Sequence, residues 1–140
     1  MNFLLVEDDD DHAEIVLRTL KRNRVANTID RVADGESALA YLRNVGAFAN
    51  RKRPDIILLD LKLPKLSGHE LLKIIKTDPK LLSIPVVVLT TSSAESDRER
   101  AYEHHANSYI VKPVNFTRFR EMVRDLSLYW GVWSPPSHAG

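Results

Sequence analysis

The sequence predicts an α/β protein, a parallel five-stranded sheet, doubly wound, with helices on both faces. Three observations carry that reading. Short apolar runs of strand length recur five times, each is followed by a longer amphipathic stretch, and four of the five runs end in hydrophilic residues. Strands buried on both faces read as continuous rather than alternating apolar runs, which is how parallel sheets differ from half-solvated ones. A chain of 140 residues suits one domain with a substantial core. We place that domain at 1–133 and read 134–140 as a flexible tail, because Pro135 and Pro136 forbid helix there.

The first run, 3–6, reads as a buried strand, and 13–22 follows as a helix because Ile15, Val16, Thr19 and Leu20 recur at helical spacing. The second strand is placed at 28–32, closed by Asp34-Gly35, with a helix at 37–44 carrying Ala38, Leu39, Tyr41 and Leu42. Residues 44–54, with Gly46 and the basic Arg51, Lys52 and Arg53, read as a solvated surface loop, an anion site being the alternative. The third strand, 56–60, is apolar until the Asp60 carboxylate appears at its end. Leu63-Pro64 and Ser67-Gly68 then make a turn, and a helix at 70–76 stops at Asp78-Pro79. The β-branched fourth strand, 86–89, lies between Pro85 and Thr90-Thr91. A polar helix at 94–104 leads to the fifth strand, 108–111, which ends at Lys112-Pro113, and the last helix spans 116–129. The pair His104-His105 reads as a solvated helix end, since neighbours on a helix point in different directions and cannot share a metal.

Composition removes several function classes. Lys and Arg number 20 against 19 Asp and Glu, so net charge gives no reason to expect nucleic acid as a partner. The absence of cysteine rules out disulfide scaffolds, thiolate zinc sites and cysteine nucleophiles, and fits a reducing compartment. The start runs directly into Glu7 and Asp8 without the pattern of a signal peptide, and no segment approaches the roughly 20 apolar residues of a membrane span. The expectation is a cytoplasmic protein with no membrane association.

In an open parallel sheet, ligands bind beyond the carboxyl ends of the strands, where the strand order reverses. Glu7 and Asp8 follow the first strand, Asp60 the third, Thr90 the fourth and Lys112 the fifth, so all five should converge on one edge. Taken singly each has an ordinary reading. Residues 9–11 can simply cap the first helix, Asp60 can end a strand, Thr90 likewise, and Lys112-Pro113 can be a turn. Their occurrence at successive strand ends points to a site. Carboxylates brought together there repel and lose solvation, so they call for a cation, and an all-oxygen set favours Mg²⁺, with Mn²⁺ as the alternative. With the metal in place, Asp60 can act as a nucleophile toward a phosphoryl donor. Lys112 supplies a mobile positive charge for one phosphoryl oxygen, and the Thr90 hydroxyl a hydrogen bond for another.

As a set these residues resemble the receiver domain of two-component response regulators, over nearly the whole chain. Leu4-Leu5-Val6-Glu7-Asp8 is similar to that family's acidic pair, and Leu58-Leu59-Asp60-Leu61-Lys62-Leu63-Pro64 followed by Ser67-Gly68 to its phosphoacceptor loop. Val88-Leu89-Thr90-Thr91 and Tyr109-Ile110-Val111-Lys112-Pro113 resemble its two remaining signatures. The resemblance implies the flavodoxin-like strand order 2-1-3-4-5 and Asp60 as phosphoacceptor. It implies Mg²⁺ held by Asp8 directly, by Glu7 through water and by the Lys62 backbone carbonyl, with Asp60 also in the metal set. It also implies Thr90 and Tyr109 as a switch pair, and a sensor histidine kinase as the phosphoryl donor. Beyond accepting and slowly losing the phosphoryl group, no enzymatic activity is expected. Lys62 and Ser92, two positions past Asp60 and Thr90, should lie at the mouth of the site and govern the access of hydrolytic water.

Within the family, the basic loop, the run 84–92 and the aromatic C-terminal helix look most like single-domain regulators that partner phytochrome-type kinases. Those are dimeric through the last helix, and Leu128, Tyr129, Trp130, Val132 and Trp133 here crowd its end, so a homodimer is expected. Gly131 and Ser134-Pro135-Pro136 break the pattern of that narrower group, which argues against an arm exchanged between protomers. Too few residues follow the last helix for a DNA-binding or catalytic output, so signalling should proceed by binding. Two rival functions fit the pattern less well. An aspartyl-nucleophile phosphohydrolase would want a second carboxylate where Lys62 stands, and no glycine-rich phosphate loop occurs. A non-phosphorylated receiver-fold interaction module would normally lack the acceptor, the acidic pair or the lysine.

Overall fold

The computed structural model describes residues 1–23 and 28–132, the last three of them as backbone only. Five strands, β1 (Asn2–Val6), β2 (Thr28–Val32), β3 (Ile56–Leu59), β4 (Val86–Thr90) and β5 (Ser108–Val111), form one parallel sheet in the order β2-β1-β3-β4-β5. The helices are α1 (Asp10–Arg22), α2 (Gly35–Leu42), α3 (Gly68–Thr77), α4 (Glu95–Glu103) and α5 (Phe116–Val132). The order reverses between β1 and β3, which sets the crevice at their carboxyl ends.

Alternation along each strand divides the core in two. Leu4, Val6, Ile57, Leu59, Val86 and Val88 face one side, where they pack with Ala38 and Leu42 of α2, Leu71, Leu72 and Ile75 of α3, and Ala101 of α4. Phe3, Leu5, Ile56, Leu58, Val87 and Leu89 face the other, against Ala13, Val16 and Leu20 of α1 and Phe119 and Val123 of α5. Residues 56–59 and 86–89 are therefore buried on both faces, and their uninterrupted apolar character follows from that.

The strands lie within a residue of where the apolar runs place them, but three helices begin earlier than their apolar periodicity does. Asp9, Asp34 and Ser67 are N-caps whose side chains accept from the backbone N–H of His12 (3.0 Å), Ser37 (2.7 Å) and Glu70 (3.2 Å). Each cap satisfies an orphan donor, so the first turn is helical although it buries little. Asp9 thus has the capping role. Loop 44–54 contains a single 3₁₀ turn at Gly46–Phe48, and α5 runs three residues past Tyr129, through Gly131. His104 is the C-cap of α4 and His105 adopts the left-handed conformation after it (φ 66°), the geometry of a helix stop. Trp133 and the tail lie outside the described residues.

Candidate functional site

The ladder of the sheet continues one residue past its strands and fixes the site backbone. Glu7 N–H donates to Val32 (3.0 Å), Asp60 N–H to Val6 (3.0 Å) and Lys112 N–H to Thr90 (2.7 Å). Four of the five predicted residues end up buried: Glu7 (2% exposed), Asp60 (7%), Thr90 (0%) and Lys112 (2%), while Asp8 stands at the open rim. Carboxylate oxygens of Glu7, Asp8 and Asp60 all lie within 4.8 Å of one another. The Lys112 ammonium donates to Glu7, to Asp60 Oδ2 (3.1 Å) and to His12 Nδ1 (3.1 Å), so its three hydrogens are all engaged. The Lys62 N–H reaches Asp60 Oδ1 at 3.3 Å, which places its peptide beside that carboxylate, and its side chain is exposed.

Two buried carboxylates face a single ammonium, and their protonation divides accordingly. Burial and the neighbouring Asp60 charge push the Glu7 carboxyl up to about 8. Burial acts on Asp60 in the same direction, but the Lys112 ammonium and the hydrogen bonds from Glu7, Lys112 and the Lys62 N–H outweigh it and hold that carboxyl below its ordinary value. Burial thus favours the protonated form of Glu7, and the ammonium favours the ionised form of Asp60. Carboxylate oxygens from Glu7, Asp8 and Asp60 that meet within 4.8 Å form an all-oxygen donor set, and these residues fit a divalent cation.

Residues not singled out from the sequence complete the site. His12, in the first turn of α1, accepts from Lys112 and stands edge-on to Phe116 (5.9 Å) and Phe119 (5.3 Å). Arg31 of β2 donates to the Glu7 carbonyl (2.8 Å) and pairs with Asp10 (2.8 Å), bracing the acidic loop. The sequence signal for His12 is its place just after the acidic run, in the first turn of α1, and Arg31 has none because its partners, the Glu7 carbonyl and Asp10, lie far away in the sequence.

Thr90 Oγ1 accepts from the Ser92 N–H at 3.3 Å. Tyr109 is buried (6% exposed), with its hydroxyl donating to the Ser92 carbonyl at 2.9 Å and the Arg98 guanidinium 5.0 Å from its ring centre. The two residues read as a switch pair thus meet through one residue, Ser92. The Ser92 hydroxyl donates to Asp97. At the far end of α5, Leu128 (57% exposed) and Tyr129 (67%) project into solvent, so Tyr129 does not fold back on its own domain.

A doubly wound sheet of order β2-β1-β3-β4-β5, with three carboxylates, a buried lysine and a buried hydroxyl at its carboxyl edge, defines an α/β protein whose charged groups converge where the strand order reverses. The response regulator receiver domain family matches residues 3–124, and the chain belongs to that family, the receivers of two-component signalling. It is 44% identical over 131 residues to the probable methanogenesis regulatory protein FilR2 of Methanothrix harundinacea, covering 94% of this chain and 84% of that protein. It is 42% identical over 127 residues to the response regulator Rcp1 of Synechocystis sp., covering 91% and 86%. The Mn²⁺-bound form of Rcp1 superposes with a TM-score of 0.93, at 39% identity and 97% and 99% coverage. The phosphorylated cyanobacterial phytochrome response regulator RcpA superposes with a TM-score of 0.92, at 42% identity and 97% and 98% coverage. The acidic cluster and the Mn²⁺-bound relative together support divalent-metal binding here. None of the described helices is long and apolar enough to cross a membrane.

Proposed function

We propose that the chain takes a phosphoryl group from a sensor histidine kinase onto Asp60. The observation that carries this reading is a buried carboxylate kept ionised by the Lys112 ammonium, 3.1 Å away, beside two further carboxylates. Asp60 Oδ attacks phosphorus, the phosphorus–nitrogen bond to the donor imidazole breaks, and the imidazole leaves with the bonding pair. Glu7, Asp8, Asp60 and the Lys62 carbonyl would hold Mg²⁺, which when bound neutralises charge on the transferred group. Lys112 turns its ammonium from the carboxylates to a phosphoryl oxygen, and Thr90 donates its hydroxyl hydrogen to another. Drawing Thr90 toward the phosphoryl group disturbs its contact with Ser92 and hence the seat of Tyr109, altering the surface formed by α4, β5 and α5 for a binding partner. The likeness to RcpA supports a phytochrome-type kinase as donor, and exposed Leu128 and Tyr129 support a homodimer through α5. A cysteine-free chain of near-neutral charge fits the cytoplasm.

The test is phosphate incorporation from acetyl phosphate with and without Mg²⁺, on the parent chain and on Asp60→Asn. Metal-dependent labelling that vanishes in Asp60→Asn is expected. A parent chain left unlabelled even with a histidine kinase as donor would reduce the protein to a receiver-shaped binding module.

Metal binding should also be linked to pH. Glu7 holds its proton below about 8, so an incoming cation must displace it. The apparent Mg²⁺ affinity therefore rises with pH by about tenfold per unit, with about one proton released per ion, and levels off above the Glu7 value. Titration calorimetry in buffers of different ionisation enthalpy reads both quantities. An affinity flat across that range would remove the proton from Glu7.

A further inference from the structure

Asp97, in the first turn of α4, spends both carboxylate oxygens on other elements. Oδ2 accepts the Ser92 hydroxyl at 2.5 Å, and Oδ1 faces Nε2 of His69, the second residue of α3, at 3.0 Å. The hydrogen bonds from Ser92 and then from His69 hold the Asp97 carboxyl below its ordinary value, so it is an ionised acceptor. An acceptor without hydrogens fixes the direction of both bonds: Ser92 Oγ–H donates, and His69 carries its proton on Nε2. His69 Nδ1 is then left buried without a hydrogen-bond partner among the described residues, on a residue only 6% exposed. An apolar side chain would avoid that cost of burial, so the imidazole is explained by what it does for Asp97.

Ser92 relays this anchor to the switch. Its N–H donates to Thr90 Oγ1, its carbonyl accepts the Tyr109 hydroxyl, and its own Oγ accepts the Ala94 N–H at 3.3 Å. Because Thr90 Oγ1 already accepts from Ser92, the Thr90 hydrogen is left for another acceptor. The residue next to Asp97, Arg98, covers the Tyr109 ring. The first turn of α4 therefore grips both Ser92 and Tyr109, and α3 holds α4 through His69.

We propose that His69 and Asp97 are positioning residues of the switch: by pinning Ser92 to α3 they fix the seat of Tyr109 and make it follow Thr90 when Asp60 is phosphorylated. This rests on the reading of Asp60 as phosphoacceptor. Without the anchor, Ser92 is free to shift away from Tyr109, and the ring loses its link to Thr90.

The chain holds four tyrosines, so ¹⁹F NMR of 3-fluorotyrosine-labelled protein, with Tyr109 assigned by Tyr109→Phe, reads the switch directly. The variants are His69→Leu, which removes the donor; His69→Gln, whose amide N–H takes the place of Nε2–H; and Asp97→Ala, which cuts the same bond from the more exposed side. The phosphoryl mimic is beryllofluoride with Mg²⁺, and acetyl phosphate labelling is measured on the same samples. In His69→Leu and Asp97→Ala, with no mimic, the Tyr109 resonance should move about half-way or more toward that of exposed Tyr102, and the mimic-induced shift should fall by about half or more. His69→Gln should restore both, while labelling of Asp60 changes by less than about threefold in all variants. Tyr109 resonances and responses identical to the parent in both His69→Leu and Asp97→Ala would overturn the proposal. If the parent is neither labelled nor shifted by the mimic, the phosphoacceptor reading fails and the proposal, which rests on it, falls too. A labelled parent with unmoved variants sinks the anchor alone.

Discussion

Replacing Lys112 by Met should tighten divalent-cation binding and slow phosphate labelling, two effects of opposite sign from one substitution. The ammonium spends its hydrogen bonds on Glu7 and Asp60, two of the three carboxylates that would hold the ion. A cation entering the site therefore competes with the lysine, and removing the lysine removes the competitor. Met keeps most of the volume and leaves no buried hydrogen unpaired. Labelling from acetyl phosphate should nevertheless fall by about 10²–10³-fold, the usual cost of deleting one donor aimed at charge that develops in the transition state. In chelator the variant should also melt lower, because Asp60 then carries a buried charge with no cation facing it, a loss of about 3 kcal/mol or more, and Mg²⁺ should restore much of that. Calorimetric titration and a labelling time course measure the pair of effects. If metal affinity and labelling fell together, the role of Lys112 would be to hold the carboxylates in place, and the competition argument would be wrong.

Gly68→Ala should be the most damaging single-methyl change at the site. Gly68 opens α3, and its N–H donates to the Leu61 carbonyl at 3.0 Å, so the helix starts directly against the loop that carries the acceptor. A Cβ built there would lie 2.4 Å from the Asp60 carbonyl oxygen and 2.4 Å from Leu61 Cα. Both are backbone atoms, and no rotamer change relieves the overlap. Either α3 backs away or the Asp60 peptide does, at a cost of about 3 kcal/mol, which for a chain of this size lowers Tm by about 10 °C. Labelling should drop as well, since the Asp60 peptide is the atom group displaced. Gly46→Ala is the control: its φ of +63° disfavours a side chain, but a Cβ there meets nothing within 4 Å, so about 1 kcal/mol and unchanged labelling are expected. A Gly68→Ala chain that melts within about 2 °C of the parent would mean that the loop after β3 yields freely.

The sequence told most about what depends on the sheet. Residues 56–59 and 86–89 had to be apolar throughout because both faces are covered, and 7, 60, 90 and 112 stand out because they are polar although buried at the carboxyl ends of their strands. Helix starts were less legible: periodicity begins only where a side chain reaches the core, whereas Asp9, Asp34 and Ser67 start their helices about a turn sooner by satisfying backbone donors. Gly131 did not end α5, since its backbone completes the helix at modest propensity cost. Least legible were groups that act through tertiary contact alone. His69 and Asp97 lie 28 positions apart on different helices, and nothing in either local sequence announces the other.

One feature of the sheet bears on how long the site stays assembled. β5 has four residues, lies at an edge, and is bonded on one side only, to β4. It carries Tyr109 and delivers Lys112, so the lysine of the site and the tyrosine of the proposed switch share an edge strand. Edge elements open at a smaller free energy than global unfolding requires, and they do so without taking the rest of the fold with them. The opening equilibrium of β5 therefore sets a ceiling on competence. Whenever that strand peels away, the carboxylates that follow β1 and β3 remain in place, but the ammonium that pairs with Asp60 has left. Anything that lies along the free edge of β5 and lowers its amide exchange rate would lengthen the time the acceptor spends armed, with no contact to the acceptor itself.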